Sequence, residues 1–268
     1  MAITPEDFGA SFKDFLDQMR AQKKPEDDPF FVRRLRGHFD AEPAGLPVVS
    51  ESFARHDHPN IHLALEDCLA REGRSSAVIG VSGQAGYMGR GLADLVGASN
   101  HFGGGAVEGP VQYTNVGLDG ERVLACVERG LFLVNEGDRR LGVFVREEDK
   151  IGERDNLVVE VMAQDRASAE RFLGELREAM RVRNVYRGYV LSLREEGYRD
   201  LKVKFHRLPV IDREAIILPE GLLERIERQT VGFSRHRDRL RGAGRHLKRG
   251  LLLHGPPGTG KTLTIMYL

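Results

Sequence analysis

Tryptophan is missing from the 268 residues, cysteine occurs only twice, and 40 Lys plus Arg cancel 40 Asp plus Glu. Each shortage excludes something. Cys68 and Cys126 are far apart and form no Cys-x-x-Cys pair, which argues against a disulfide framework or a cysteine-based zinc site. Both read as small apolar core residues in a reducing compartment. The absence of net charge removes the bulk field that would advertise a polyanion partner, so nucleic acid is not the expected ligand. No apolar run approaches the ~20 residues of a membrane span, and no apolar signal core follows Phe8. The expected setting is the cytoplasm.

What is present is organised in stretches. Thr4-Pro5-Glu6-Asp7 opens a helix with a capping Thr, an early proline and acids at the positive helix end. Phe8, Phe12, Phe15, Leu16 and Met19 put an apolar face on it, and Pro25 ends it. Residues 27–47 read as loop with a short helix from Phe30 to Leu35. A further helix is expected over Asn60–Glu72. His56, His58 and His62 have the spacing H-x-H-x-x-x-H, but only His62 falls on that helix, so solvated loop histidines are expected in place of a metal site.

The glycine-rich run from Gly80 to Gly91 follows a short apolar segment, Ala77–Val81, and invites a nucleotide reading. Its spacing is G-x-x-G-x-x-G-x-x-G, not the G-x-G-x-x-G of a dinucleotide fold, and no acid flanked by a second strand is expected ~20 residues on. A flexible loop or tight helix packing is expected. Gly103-Gly104-Gly105 marks a boundary. From Val107 the pattern alternates, which predicts strands at 111–118, 122–128, 130–134, 140–146 and 157–162, with hairpin turns at Asp119-Gly120 and Asn135–Asp138. Asp165 caps a helix with Phe172, Leu173, Leu176 and Met180 on one face. Two more strands are expected at Tyr189–Leu193 and Leu201–Phe205. The organisation expected is thus a mainly helical subregion at 1–105, an α+β subregion of mainly antiparallel strands at 106–210, and the start of an α/β module at 211–268.

After a connector at 208–212, a helix carries Leu222, Leu223 and Ile226 on one side. A basic helix, His236–Lys248, then leads to Leu251-Leu252-Leu253, short enough for a buried strand. Nucleic-acid contact through Arg235–Arg249 is weaker than a solvated-face reading, because no aromatic residues interleave there for base stacking. The run Gly255-Pro256-Pro257-Gly258-Thr259-Gly260-Lys261-Thr262 fits G-x-x-x-x-G-K-T. Glycines let a backbone wrap a phosphate chain, Lys261 brings a cation to the β- and γ-oxygens, and Thr262 offers a hydroxyl to Mg²⁺. Strand, glycine loop and helix start in that order distinguish this stretch from the Gly80–Gly91 run.

Arg249–Thr262 resembles the P-loop of the AAA family of ATPases, and the likeness extends back to about Ile216. The resemblance implies ATP and Mg²⁺ as cofactors, bound by Gly255, Pro256, Pro257, Gly258, Thr259, Gly260, Lys261 and Thr262, with Lys261 also serving the transition-state charge. In that family an upstream Val/Ile-Gly pair lines the adenine, a place that Val231-Gly232 would take. Assembly as a homo-hexamer and remodelling of a protein target, selected through residues 1–210, are also implied. The family's acidic strand, polar sensor and arginine finger have no counterpart after the loop, so this chain is expected to be a truncated form that binds ATP without hydrolysing it. The alternatives are a recognition or scaffold module with a vestigial P-loop, and a P-loop kinase or nucleic-acid motor.

Overall fold

The computed structural model describes residues 9, 11–13, 28–82, 91–96, 106–119, 122–148, 156–196 and 200–268. The expected helix from Thr4 and the Gly103–Gly105 boundary lie outside these residues, apart from helical positions at 9 and 11–13. The chain divides into two compact units, residues 1–205 and 206–268.

The first unit is built on a seven-stranded, wholly antiparallel sheet. Its strands are β1 (Val48–Ala54), β2 (Arg74–Ser82), β3 (Val107–Gly109), β4 (Gln112–Gly117), β5 (Val123–Glu136), β6 (Arg139–Glu148) and β7 (Asn156–Ala163). They are ordered β1-β7-β6-β5-β2-β3, with β4 also on β5. Helices α1 (Phe30–Phe39) and α3 (Leu92–Val96) cover one face, and α2 (His58–Leu69) and α4 (Arg166–Val182) cover the other. The alternation of the strands decides which residues go where. Leu141, Val143 and Val145 of β6, with Leu157, Val159 and Val161 of β7, meet Phe172, Leu173 and Leu176 of α4. Leu131 and Leu133 of β5, Phe144 and Met162 instead meet Phe31, Leu35 and Phe39 of α1. A two-stranded hairpin, β8 (Val190–Glu196) and β9 (Asp200–His206), completes the unit.

Mixed α and β structure with antiparallel strands is therefore what forms, but the expected break at 105 does not. β1 and β2 come from the segment read as mainly helical and are paired into the same sheet as β5 and β7. The strands expected at 122–128 and 130–134 are one 14-residue strand, β5. Its first half pairs with β4 and its second half with β2, and a register shift between Gln112 and Tyr113 of β4 marks the changeover. α1 runs on to Phe39, beyond the Leu35 expected. α2 starts at His58 and includes it, and His58 is buried, with Nε2 donating to the Val127 carbonyl at 2.8 Å. Burial pushes the His58 imidazole below its ordinary pKa, against that hydrogen bond. His56, His58 and His62 do not gather as a metal site; among the described residues no group of three or more His, Cys, Asp or Glu does. Cys68 and Cys126 are free and buried, as expected. Asp165 caps α4 by accepting from Ser168 N at 2.8 Å.

One polar connection crosses the α1/α3 face. Arg146 and Glu160, on β6 and β7, are both buried and joined at 2.7 and 3.0 Å. The second Glu160 oxygen accepts from the backbone N–H of Leu92, which opens α3. A Cβ on Gly91 would stand 2.5 Å from Glu160 Oε1, so close packing explains that glycine. Residues 83–90 of the run before it lie outside the described residues. No helix among the described residues is long and apolar enough to cross a membrane.

The second unit is smaller. It contains α5 (Leu222–Glu227), a π-helical turn (Arg228–Gly232), a three-residue helical turn (Phe233–Arg235), α6 (Arg237–Gly242) and α7 (Lys261–Tyr267). Its core comprises Ile216, Leu223, Ile226 and Thr264. Arg213 clamps Glu224 at 2.8 Å and Glu227 at 3.0 and 3.1 Å, and the Tyr267 hydroxyl donates to Glu227. The basic helix expected to reach Lys248 stops at Gly242. Gly244 takes φ +70 while Gly244 N donates to Arg241 O and Arg245 N to Leu240 O, the paired bonds of a glycine-terminated helix end.

Candidate phosphate-binding loop

Positions 255–260 form an open loop followed at once by α7, whose first two residues are Lys261 and Thr262. Gly258 has φ +80 and Gly260 φ +77, a region in which a Cβ meets the neighbouring backbone, so glycine is required at both. At Gly255 a Cβ would lie 3.1 Å from Thr259 Oγ1, and that hydroxyl donates to Pro256 O at 2.9 Å. Three glycines of the loop thus answer to its shape.

Lys261 opens α7 and folds back over the loop. Its Nζ donates to the Gly255 carbonyl at 2.8 Å, the Pro256 carbonyl at 2.6 Å and Thr259 Oγ1 at 3.3 Å. The cation is held at the loop's mouth by neutral acceptors, and among the described residues no carboxylate pairs with it. A phosphate oxygen carries a full charge and makes the stronger hydrogen bond with an ammonium. The first N–H groups of α7 have no acceptor within their own helix, which leaves them available to an anion beside the loop. Thr262 is exposed at the second helical position; Thr264, by contrast, is buried and its hydroxyl returns to Gly260 O at 2.9 Å.

Next to the loop is a cleft of about 490 Å³. Leu218, Pro219, Leu222 and Ile226 make one side apolar, while His254, Gly255, Pro256, Thr259 and Lys261 supply the loop side. Arg225 also lines it, a cation that sequence reasoning missed. Its placement follows from α5: it stands between Leu223 and Ile226, which are buried, and only the turn of that helix shows where it points. Val231 and Gly232 sit in the π-helical turn and are not among the cleft's lining residues; Gln229 is. None of the described residues lining the cleft is Asp or Glu.

Leu251-Leu252-Leu253 does not form the expected buried strand. It joins no sheet, and Leu252 is 89% exposed. A strand exists by its ladder, and no other described segment pairs with this one. The loop conformation is nevertheless complete, because it is held by bonds among positions 255–264. No family model matches the sequence, and no curated protein matches it.

Proposed function

We propose that the loop Gly255–Thr262 binds the phosphate chain of ATP with Mg²⁺, and that the chain is part of an AAA-type ATPase that remodels a protein target. The carrying observation is the Lys261 ammonium folded over a loop that only glycine at 258 and 260 allows. On binding, Nζ exchanges two carbonyls for phosphate oxygens, and the backbone N–H groups at the start of α7 take further oxygens. Thr262 is the hydroxyl for the metal, which when bound neutralises phosphate charge. Arg225 adds a second cation, and the apolar side formed by Leu218, Leu222 and Ile226 suits the base. Residues 1–205 are, in this reading, the part that selects the target, and the assembled form is a homo-hexamer.

Hydrolysis needs a group that orients or deprotonates water, and the cleft's described lining offers no carboxylate for it. The reading is therefore of nucleotide binding without steady turnover by this chain. Calorimetry with ATP, with and without Mg²⁺, tests it. Losing one charge-assisted interaction of about 1.5–3 kcal/mol, Lys261→Ala should weaken binding about 10- to 100-fold. Phosphate release should stay at background for both proteins. Equal affinity in the variant sinks the assignment of Lys261. A folded protein with no ATP binding favours a recognition module with a vestigial loop.

A further inference from the structure

The first unit carries a second cationic cleft, about 470 Å³ in volume, on the α1 side of the sheet. Its floor is Ser75 and Ala77 of β2 with Leu133 and Asn135 of β5, and its wall is Arg33, Arg34, Gly37 and His38 of α1. Asn135 Nδ2 reaches Ser75 Oγ at 3.4 Å, so the floor presents amide and hydroxyl groups. Arg33 and Arg34 have no carboxylate partner among the described residues, although Arg36 on the same helix is paired with Asp28 and Glu42. Arg140, opposite Asn135 in the ladder, bonds among the described residues to the carbonyls of Gly137 and Arg139 and to no carboxylate. Burial lowers the His38 pKa despite its bond to the Leu141 carbonyl, and Arg140 and Arg34 lower it further. No Asp or Glu is among the described residues lining the cleft.

Two further features bear on what fits. Residues 74–79 of β2 pair with β5 and with no other described strand, so among the described residues one edge of this segment has no strand on its backbone donors and acceptors. Ser75, Ser76, Ala77 and Val78 are exposed there. Gly37 lies inside α1 with nothing within 4 Å of where its Cβ would be. Packing does not require glycine at that position, and glycine inside a helix costs about 1 kcal/mol relative to alanine. What it leaves is room over the cleft.

We propose that this edge and cleft bind an extended acidic peptide segment of a partner protein. The peptide backbone adds to β2 alongside residues 74–79, and its carboxylates face Arg33, Arg34 and Arg140. The occupant is chosen by charge complementarity: three guanidiniums without carboxylate partners among the described residues call for an anion, and a strand edge that no described strand covers calls for extended backbone rather than a sugar–phosphate chain. The proposal does not depend on nucleotide binding at Gly255–Thr262.

The probe is a fluorescein-labelled ten-residue peptide of alternating Glu and Thr, titrated into the full chain at low salt and followed by anisotropy and by amide hydrogen exchange. Expected are saturable binding, at least a tenfold loss in the Arg33→Glu/Arg34→Glu variant, and slowed exchange at positions 74–79. The Lys-Thr peptide should not bind. Unchanged affinity in the double variant, binding without protection of β2, no binding by the wild type, or tighter binding of a ten-nucleotide thymidine strand each overturns the proposal. Circular dichroism of the double variant confirms that a loss is not unfolding, since both arginines are exposed; if it is unfolded, Arg34→Gln and Arg140→Gln singly must each lower the affinity or the proposal fails.

Discussion

His58 shows how much one residue's setting can depart from what its neighbours in sequence suggest. On a loop flanked by His56 and Pro59 it reads as solvated, yet it starts α2, is buried and bonds to Val127 across the sheet. Burial favours the neutral ring, so its folded pKa is below the unfolded value of about 6.5. The sign follows directly. Above that value neither state is charged and stability is unaffected; as pH falls below it the unfolded chain takes up the proton first and stability drops, levelling once the folded ring also titrates. His38 and His62 are shifted the same way, both by burial. Urea titrations should show stability falling as pH drops below about 6.5, with a shallower fall in His58→Gln, whose amide can still donate to Val127. Equal slopes would mean that His58 is protonated without cost in the folded state. Lys261 is the contrasting case: all its partners lie within six positions in sequence, so its place could be read without a fold.

Among the elements, α3 depends most on a partner remote in sequence. It has only five residues, too few to persist by local hydrogen bonds, and Glu160 of β7 holds its first N–H while also pairing with Arg146. Glu160→Gln leaves the Arg146 guanidinium buried beside a neutral amide. Breaking a buried pair in this way typically costs about 3–5 kcal/mol, whereas replacing both members by apolar residues is often near neutral. Chemical denaturation should therefore show a large loss for Glu160→Gln and a much smaller one for Arg146→Met/Glu160→Leu. A single variant within about 1 kcal/mol of the wild type would show that the pair is solvated in practice. The strands divide on the same principle. β6, β7 and the Phe172–Met180 face of α4 were legible because each keeps the same neighbours along its whole length, the two strands buried on both faces and the helix on one. β1 went unread and β5 was split in two, since short length and a change of partner both interrupt the pattern that a period detects.

For the whole molecule, the two units differ in how they are stabilised. Residues 1–205 bury apolar side chains on both faces of a sheet, while residues 206–268 rest on a few, with Ile217 and Leu252 about nine-tenths exposed. The link between them, 207–212, has no regular structure, and Val210 is 94% exposed. Limited trypsin digestion should cut first after Arg207, and the N-terminal product should unfold in one cooperative step. Early cleavage within β5–β7, or a product without a thermal transition, would contradict the division.

By itself the sequence determined the local shape of the glycine loop at 255–260 and the faces of the long regular elements. Both depend on residues close together in the chain: Gly255, Gly258, Gly260 and Lys261 make one another's environment within eight positions. Only the tertiary structure decided that β1 and β2 belong to the same sheet as β5 and β7, that Arg146 and Glu160 meet beneath Leu92, and that Arg33 and Arg34 stand over Ser75 and Asn135, with Arg140 opposite Asn135 in the ladder. Those juxtapositions are products of strand register and of helices packed across strands. A shift of one residue in pairing would turn every such side chain to the opposite face, and nothing local to any one segment specifies which register prevails.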